Sequence, residues 1–232
     1  TPEQADVLTE IIVQALASWN LEDEQLDSIP QDVDIHDNTQ ITETRVDLTP
    51  KFPPIGDQGS YGTCVAWAVG YNLKTALNAI DNQWTASQLS STANITSPKD
   101  LFWSIPTDQK GSDCNGTQFE SAMDALISRG GASLATAPYV DMGDCSQSPP
   151  GSWATDASDN KLVNYRKIAD QSNPASMTVQ NFKAYLAEGR PIAIGAKLGD
   201  RFMKWNSDAV IDNDTYLNPG MQHAYHAMVL AG

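Results

Sequence analysis

Residues 57–68, DQGSYGTCVAWA, place a cysteine between a glycine-rich loop and a long apolar stretch. The stretch that begins at Cys64, CVAWAVGYNLKTALNAI, has few polar positions and predicts a helix buried at the centre of a domain. Because backbone N–H groups at a helix start stabilise a thiolate, we expect a lowered pKa for Cys64. Gln58, six residues earlier, and the Cys64 N–H could both donate to an anion near the sulfur. A structural helix cysteine beside an ordinary loop glutamine is the alternative interpretation.

The remaining patterns change from helices to strands along the chain. Helices are predicted at 1–20, 97–102, 119–129 and 178–188, with Thr178 as the cap of the last. Strands are predicted at 161–169, 190–198 (RPIAIGAKL) and 223–232 (HAYHAMVLAG), and irregular chain at 21–45 and 143–160. Helices first and strands later predict an α+β protein with a helical lobe and a sheet lobe.

Composition narrows the class of protein. The formal charge of -15 over 232 residues argues against nucleic acid as a partner, since phosphates would be repelled. No apolar run reaches the roughly 18 residues of a membrane span. The three histidines and scattered carboxylates lack metal-ligand spacing, so we expect neither a metal nor a cofactor. Three cysteines favour one disulfide plus one free thiol in a secreted, extracellular or periplasmic protein, with three reduced thiols as the alternative.

The loop before Cys64 resembles the nucleophile motif of the papain-like (C1) cysteine peptidase family, in which a Gln-Gly pair precedes the cysteine by six residues. Other segments resemble the family in the same order: VDL at 46–48, PPIGDQG at 53–59, CNG at 114–116, APYV at 137–140, GRPIAIGAKL at 189–198 and YHAMVLAG at 225–232. The resemblance covers residues 47–232, about four-fifths of the chain. It implies a two-lobe fold, with a helical left lobe, a β-barrel-like right lobe and a cleft between them.

The resemblance also implies roles for particular residues. Cys64 would be the nucleophile, His226 the general base and Gln58 an oxyanion donor. His226 is preferred to His223 because it alone places Gly232 at the family's six-residue spacing. Substrate backbone would pair with the turn formed by Asn115, Gly116 and Thr117.

The activity implied is hydrolysis of peptide bonds in a peptide or protein substrate, through a thioester on Cys64. Two other functions stay open: an inactive relative that binds peptides or inhibits a partner, and a Cys/His amide transferase. Both alternatives are compatible with the same two residues, Cys64 and His226.

The sequence also departs from the family pattern. Tyr61 stands where the family has a cysteine that pairs with the one matching Cys114. The resemblance therefore leaves Cys145 as the expected disulfide partner of Cys114, and Cys64 free. Val65 replaces an aromatic residue, and Thr117 replaces the second glycine of the substrate-binding turn.

The resemblance suggests three divisions of the chain. Residues 1–46 would be an N-terminal extension, either a propeptide remnant or an accessory segment. Residues 47–145 would form the helical lobe, and 146–232 a truncated β-rich lobe with the base. The family's Asn-Ser-Trp segment, which orients the histidine, is expected beyond Gly232. A separate C-terminal fragment that completes the fold is therefore a candidate partner.

Overall fold

A buried helix that begins at Cys64 forms the centre of the computed structural model. The model describes residues 45–168, 179–207, 209, 211 and 223–232, so the predictions for residues 1–44 and for Thr178 lie outside it. The central helix has three consecutive parts: α1 (Cys64–Ala66), a π-helical segment (Trp67–Lys74) and α2 (Thr75–Asp81). The predicted helix is therefore confirmed, but its apolar pattern did not reveal the wider π-helical turns in the middle.

Further helices surround this centre in a mixed α+β structure. They are α3 (Ala86–Leu89), α4 (Pro98–Ser104), α5 (Phe119–Ser128), α6 (Ala154–Ser158), α7 (Val179–Ala187) and α8 (Asp200–Met203). Short 3-10 segments lie at Thr49–Lys51, Thr107–Gln109, Ser112–Cys114 and Gly151–Trp153. The side chain of Ser97 caps α4 by accepting from the Asp100 N–H, and Pro98 occupies its first turn, as both residue types favour.

Two strands form an antiparallel pair: β1 (Ile192–Gly199) and β2 (His223–Leu230). The register places Ile192 opposite Leu230 and Ala196 opposite His226. Both strands were predicted from their apolar runs, and both are confirmed. Beyond β2, the Leu48 N–H donates to the Ala231 carbonyl at 2.7 Å. The segment before residues 57–63, which we call the nucleophile loop after the role expected of Cys64, therefore contacts the end of this sheet.

The pair of strands contacts a different cluster on each face, because successive side chains alternate. Ala227 belongs to the main core around the central helix, and Tyr225, Val229 and Ala193 pack against that core. Ile192 belongs instead to a second cluster with residues of α7, together with Ile194 and Leu230. This arrangement brings the backbone of β2 against the start of the central helix.

Two predictions for the middle of the chain are wrong. Residues 161–168 contain no extended strand, although their alternation suggested one. The Lys161 side chain donates to the Ser128 carbonyl, and the Tyr165 hydroxyl to Asp124. The alternating side chains therefore follow the end and side of α5. The region 143–160, predicted as an irregular loop, contains the helix α6.

Candidate active site

Cys64 lies at the first position of the central helix, and its side chain is only 1% exposed. Burial is the largest influence on the pKa of the Cys64 thiol and raises it overall. The backbone N–H groups of Ala227, Val65 and Cys64 itself act in the opposite direction and lower it. The expectation of a lowered pKa from the helix start is therefore wrong, because loss of solvent outweighs the N–H groups. The neutral thiol is the favoured resting form.

His226 lies in the interior of β2, opposite Ala196. Among the N–H groups that lower the pKa of Cys64, that of Ala227 belongs to the peptide bond between His226 and Ala227. Burial lowers the pKa of His226 to about 4, which favours the neutral imidazole. Its Nδ1 atom is buried and has no hydrogen-bond partner among the described residues. The structure thus brings the His226 backbone to Cys64 and leaves one imidazole nitrogen unpaired.

The competing histidine lies at the start of the same strand. His223 begins β2 opposite Gly199. Four positions therefore separate it from Ala227, whose N–H lowers the pKa of Cys64.

Gln58 lies in the loop before the central helix and is partly buried. Its side-chain Nε2 donates to the Tyr61 carbonyl at 2.6 Å. An amide nitrogen carries two hydrogens, so this bond orients the amide and leaves the second hydrogen for another acceptor. The Gln58 side chain is therefore fixed by the backbone of its own loop.

The nucleophile loop also has contacts with distant parts of the chain that sequence patterns did not reveal. The Tyr139 hydroxyl donates to the Gln58 carbonyl at 2.9 Å and lies 2.7 Å from the Thr63 hydroxyl. The Tyr61 hydroxyl donates to Asp141 at 3.0 Å, and the Gly62 N–H to the Cys114 carbonyl at 2.7 Å. Since these partners are about 50 to 80 positions away, local spacing carries no signal for them. The APYV segment was the only hint at Tyr139.

Cys114 forms a disulfide with Cys145, with 5.2 Å between their Cα atoms, and Cys64 is the free cysteine. The expected pairing is therefore confirmed. It joins the last residue of the 3-10 segment Ser112–Cys114 to the loop that follows Tyr139. Because the Cys114 carbonyl accepts the Gly62 N–H, the disulfide anchors a segment that contacts the loop before Cys64, and it leaves the Cys64 thiol free.

The turn at Asn115, Gly116 and Thr117 combines an exposed residue with two buried ones. Gly116 has a φ of 109°, a conformation that favours glycine. Its carbonyl accepts the Gly111 N–H at 2.9 Å, and the Thr117 hydroxyl donates to the Gln109 carbonyl at 2.9 Å. The Thr117 side chain therefore points into the fold and helps to close the turn.

The described residues also lack two kinds of feature, a metal-ligand cluster and a membrane-spanning helix. Those residues contain no group of three or more His, Cys, Asp or Glu side chains arranged to hold a metal ion. No helix among them has the length and apolarity needed to cross a membrane.

Comparison with known proteins places this geometry in a family. The model for papain family cysteine proteases matches residues 39–232. Similar solved structures include xylellain, a cysteine protease from Xylella fastidiosa, with a TM-score of 0.60, 20% identity and coverage of 93% of this chain and 74% of xylellain. The proform of the ragweed pollen allergen Amb a 11, a cysteine protease, has a TM-score of 0.60 and 21% identity. The match covers 90% of this chain and 57% of Amb a 11. Procathepsin B S9 of Trypanosoma congolense has a TM-score of 0.60 and 16% identity, and the match covers 94% of this chain and 71% of procathepsin B.

At these identities the likeness to solved structures establishes the fold, while the family model covers most of the sequence. No curated protein is a significant match. The chain has a papain-like α+β fold and belongs to the papain family of cysteine proteases.

Proposed function

We propose that this chain is a cysteine peptidase that hydrolyses peptide bonds, with Cys64 as nucleophile and His226 as its base. One observation carries the proposal: Cys64 and Ala227, the residue that follows His226, are buried in the same core cluster, and the Ala227 N–H lowers the pKa of the thiol. The unpaired Nδ1 of His226 supports it, because an unpaired buried polar atom costs stability and a catalytic role is one reason for a protein to retain it.

The proposed reaction starts from a neutral thiol and a neutral imidazole. His226 removes the proton of Cys64, and the resulting thiolate attacks the carbonyl carbon of the scissile peptide bond. The second Nε2 hydrogen of Gln58 and the Cys64 N–H would donate to the oxyanion. The imidazolium then protonates the leaving amine as the C–N bond breaks, and water hydrolyses the thioester.

We further propose that substrate lies between the helical lobe, residues 47–145, and the β-rich lobe, residues 146–232. The exposed turn at Asn115 is the proposed contact for substrate backbone. The disulfide is compatible with a secreted, extracellular or periplasmic protein, where oxidising conditions preserve such bonds.

Hydrolysis of a library of fluorogenic peptide amides tests the activity, with Cys64→Ala as the control. We expect cleavage by the wild-type protein, none by Cys64→Ala, and an acyl-enzyme mass on Cys64 with a slowly hydrolysed ester. Cleavage that persists in Cys64→Ala would overturn the assignment. Transfer of the acyl group to an added amine in preference to water would instead identify an amide transferase.

An inactive peptide-binding relative is the second candidate. The raised pKa of Cys64 and the lowered pKa of His226 favour it, because neither supports a resting thiolate–imidazolium pair. Such a protein would bind peptides and form no acyl-enzyme. Peptide binding measured beside the acylation experiment separates the two functions.

A further inference from the structure

Tyr139 contacts the nucleophile loop at two points that lie five residues apart in sequence. Its hydroxyl donates to the Gln58 carbonyl at 2.9 Å and lies 2.7 Å from the Thr63 hydroxyl. A phenol has a single hydrogen, so with that hydrogen on Gln58 it must accept from Thr63. Thr63 is fully buried and directly precedes Cys64. One phenol oxygen thus joins the backbone of Gln58 to the residue before the nucleophile.

The ring of Tyr139 is held on both sides. It meets Trp67 edge-on, with 5.0 Å between ring centroids, and Tyr61 edge-on at 6.4 Å. Such edge-to-face contacts fix ring orientation. Burial raises the pKa of Tyr139, so the phenol keeps the proton that the bond to Gln58 requires.

We infer that Tyr139 is a positioning residue, whose hydroxyl sets the distance between the two oxyanion donors, the Gln58 side chain and the Cys64 N–H. This inference rests on the proposed function, since the donors matter only if an oxyanion forms. The hydroxyl itself does not touch the reacting atoms. Its effect is to prevent the loop between Gln58 and Cys64 from relaxing when negative charge develops on the substrate oxygen.

Tyr71 provides a matched control within the same aromatic cluster. Its hydroxyl donates to the Pro54 carbonyl at 2.7 Å, and its ring lies 4.5 Å from that of Trp67. Tyr71→Phe therefore removes a comparable phenol–carbonyl bond, which is made to the segment just before the nucleophile loop. That bond lies outside the interval between Gln58 and Cys64.

The experiment compares Tyr139→Phe, Tyr71→Phe and the wild type in peptide hydrolysis and in alkylation by iodoacetamide. Hydrolysis develops an oxyanion, whereas alkylation at the sulfur does not. For Tyr139→Phe we expect kcat to fall about tenfold with KM unchanged, less than the roughly 10²–10³ lost with a whole oxyanion donor. Alkylation of Tyr139→Phe and hydrolysis by Tyr71→Phe should stay within about twofold of wild type. Equal losses of hydrolysis and alkylation, or no loss of hydrolysis, would overturn the inference.

Hydrogen exchange keeps the inference testable if the wild type hydrolyses nothing, a result that would contradict the proposed function alone. We expect amides in residues 59–64 to exchange about tenfold faster in Tyr139→Phe than in wild type or Tyr71→Phe, since local opening becomes easier. Identical exchange in all three proteins would show that Tyr139 does not hold the loop.

Discussion

The part of the molecule that carries Cys64 and the part that carries His226 differ in how they are held together. We call residues 45–145 the helical part, and residues 179–207 with 223–232 the sheet part. The core of the helical part includes fully buried Leu101, Phe102 and Leu126. In the sheet part, the second cluster has three buried residues, each 5–8% exposed: Tyr185, Leu186 and Ile192.

The ion pairs of the two parts also differ, and the more buried carboxylate lies in the helical part. Asp100, fully buried in the helical part, receives both guanidinium nitrogens of Arg129 at 2.7 and 2.9 Å and the Ala132 N–H. In the described sheet part, the Glu188 and Asp200 side chains that pair with Arg190 and Lys204 are 29% and 25% exposed, whereas the Asp100 side chain is 0% exposed. Cys64 is therefore fixed by a dense core, whereas His226 depends on strand pairing and on contact with the central helix.

Breaking the buried ion pair should give the largest loss of stability. Arg129→Ala leaves the Asp100 carboxylate buried with only a backbone N–H as partner, and we expect a loss of about 3–5 kcal/mol in free energy of unfolding. Lys204→Ala, which removes a more exposed pair in the sheet part, should cost about 0–1 kcal/mol. Urea denaturation measures both. Similar losses for the two variants would contradict the contrast between the parts.

Removing the disulfide should have the next largest effect. The bond joins cysteines 31 positions apart and restricts the unfolded chain, so Cys114→Ala with Cys145→Ala should lose about 3–4 kcal/mol. Urea denaturation with and without a reductant checks this. Reductant should lower the stability of the wild type to that of the double variant and leave the double variant unchanged. A wild type insensitive to reductant, although its disulfide is reduced, would disprove the prediction.

The buried imidazole makes stability depend on pH. Because the pKa of His226 is about 4 in the folded protein and near 6.5 when unfolded, the unfolded state binds the proton first as pH falls. Its contribution is therefore full above pH 6.5 and is lost by pH 4, by on the order of 3 kcal/mol. The difference between wild type and His226→Gln in urea denaturation across this range isolates the effect. A difference that does not change with pH would contradict it.

Alanine substitution at one glycine in each part should give the smallest losses of stability. Gly59 in the nucleophile loop has a φ of +65° and Gly189 after α7 a φ of +77°, and neither has an atom within 4 Å of an added Cβ. Alanine at either position should cost about 1–2 kcal/mol through backbone strain alone. Only Gly59→Ala should also lower kcat/KM, because it disturbs the loop between Gln58 and Cys64. Equal activity of both variants would argue against a role for that loop.

The sequence predicted elements whose patterns are local. The helix at Cys64, α5 and both strands follow from runs of apolar residues and from glycines at their ends. The alternation at 161–168 was misleading. The segment lies along α5 without forming a strand, and a segment packed on a helix can alternate between buried and exposed side chains as a strand does. The π-helical turns of Trp67–Lys74 were not predicted, because an almost wholly apolar segment has no distinct face to reveal its period.

Within the proposed site, the resemblance predicted roles for Cys64, Gln58 and His226, and those roles stay predictions. The pairing of Cys114 with Cys145, predicted in the same way, is confirmed. The direction of the Cys64 pKa was wrong because burial depends on packing from β2, more than 150 positions away. The hydrogen bonds of Tyr139 depend on the same kind of tertiary contact.

The rate of Cys64 alkylation by iodoacetamide as a function of pH tests most directly whether His226 acts as its base. If the imidazole takes the thiol proton, the pair keeps the same number of protons between the two pKa values. The wild-type rate should then be nearly constant from about pH 5 to 8, while in His226→Gln it should rise about tenfold per pH unit. A wild-type rate that rises in the same way as that of His226→Gln would contradict the pairing of Cys64 with His226.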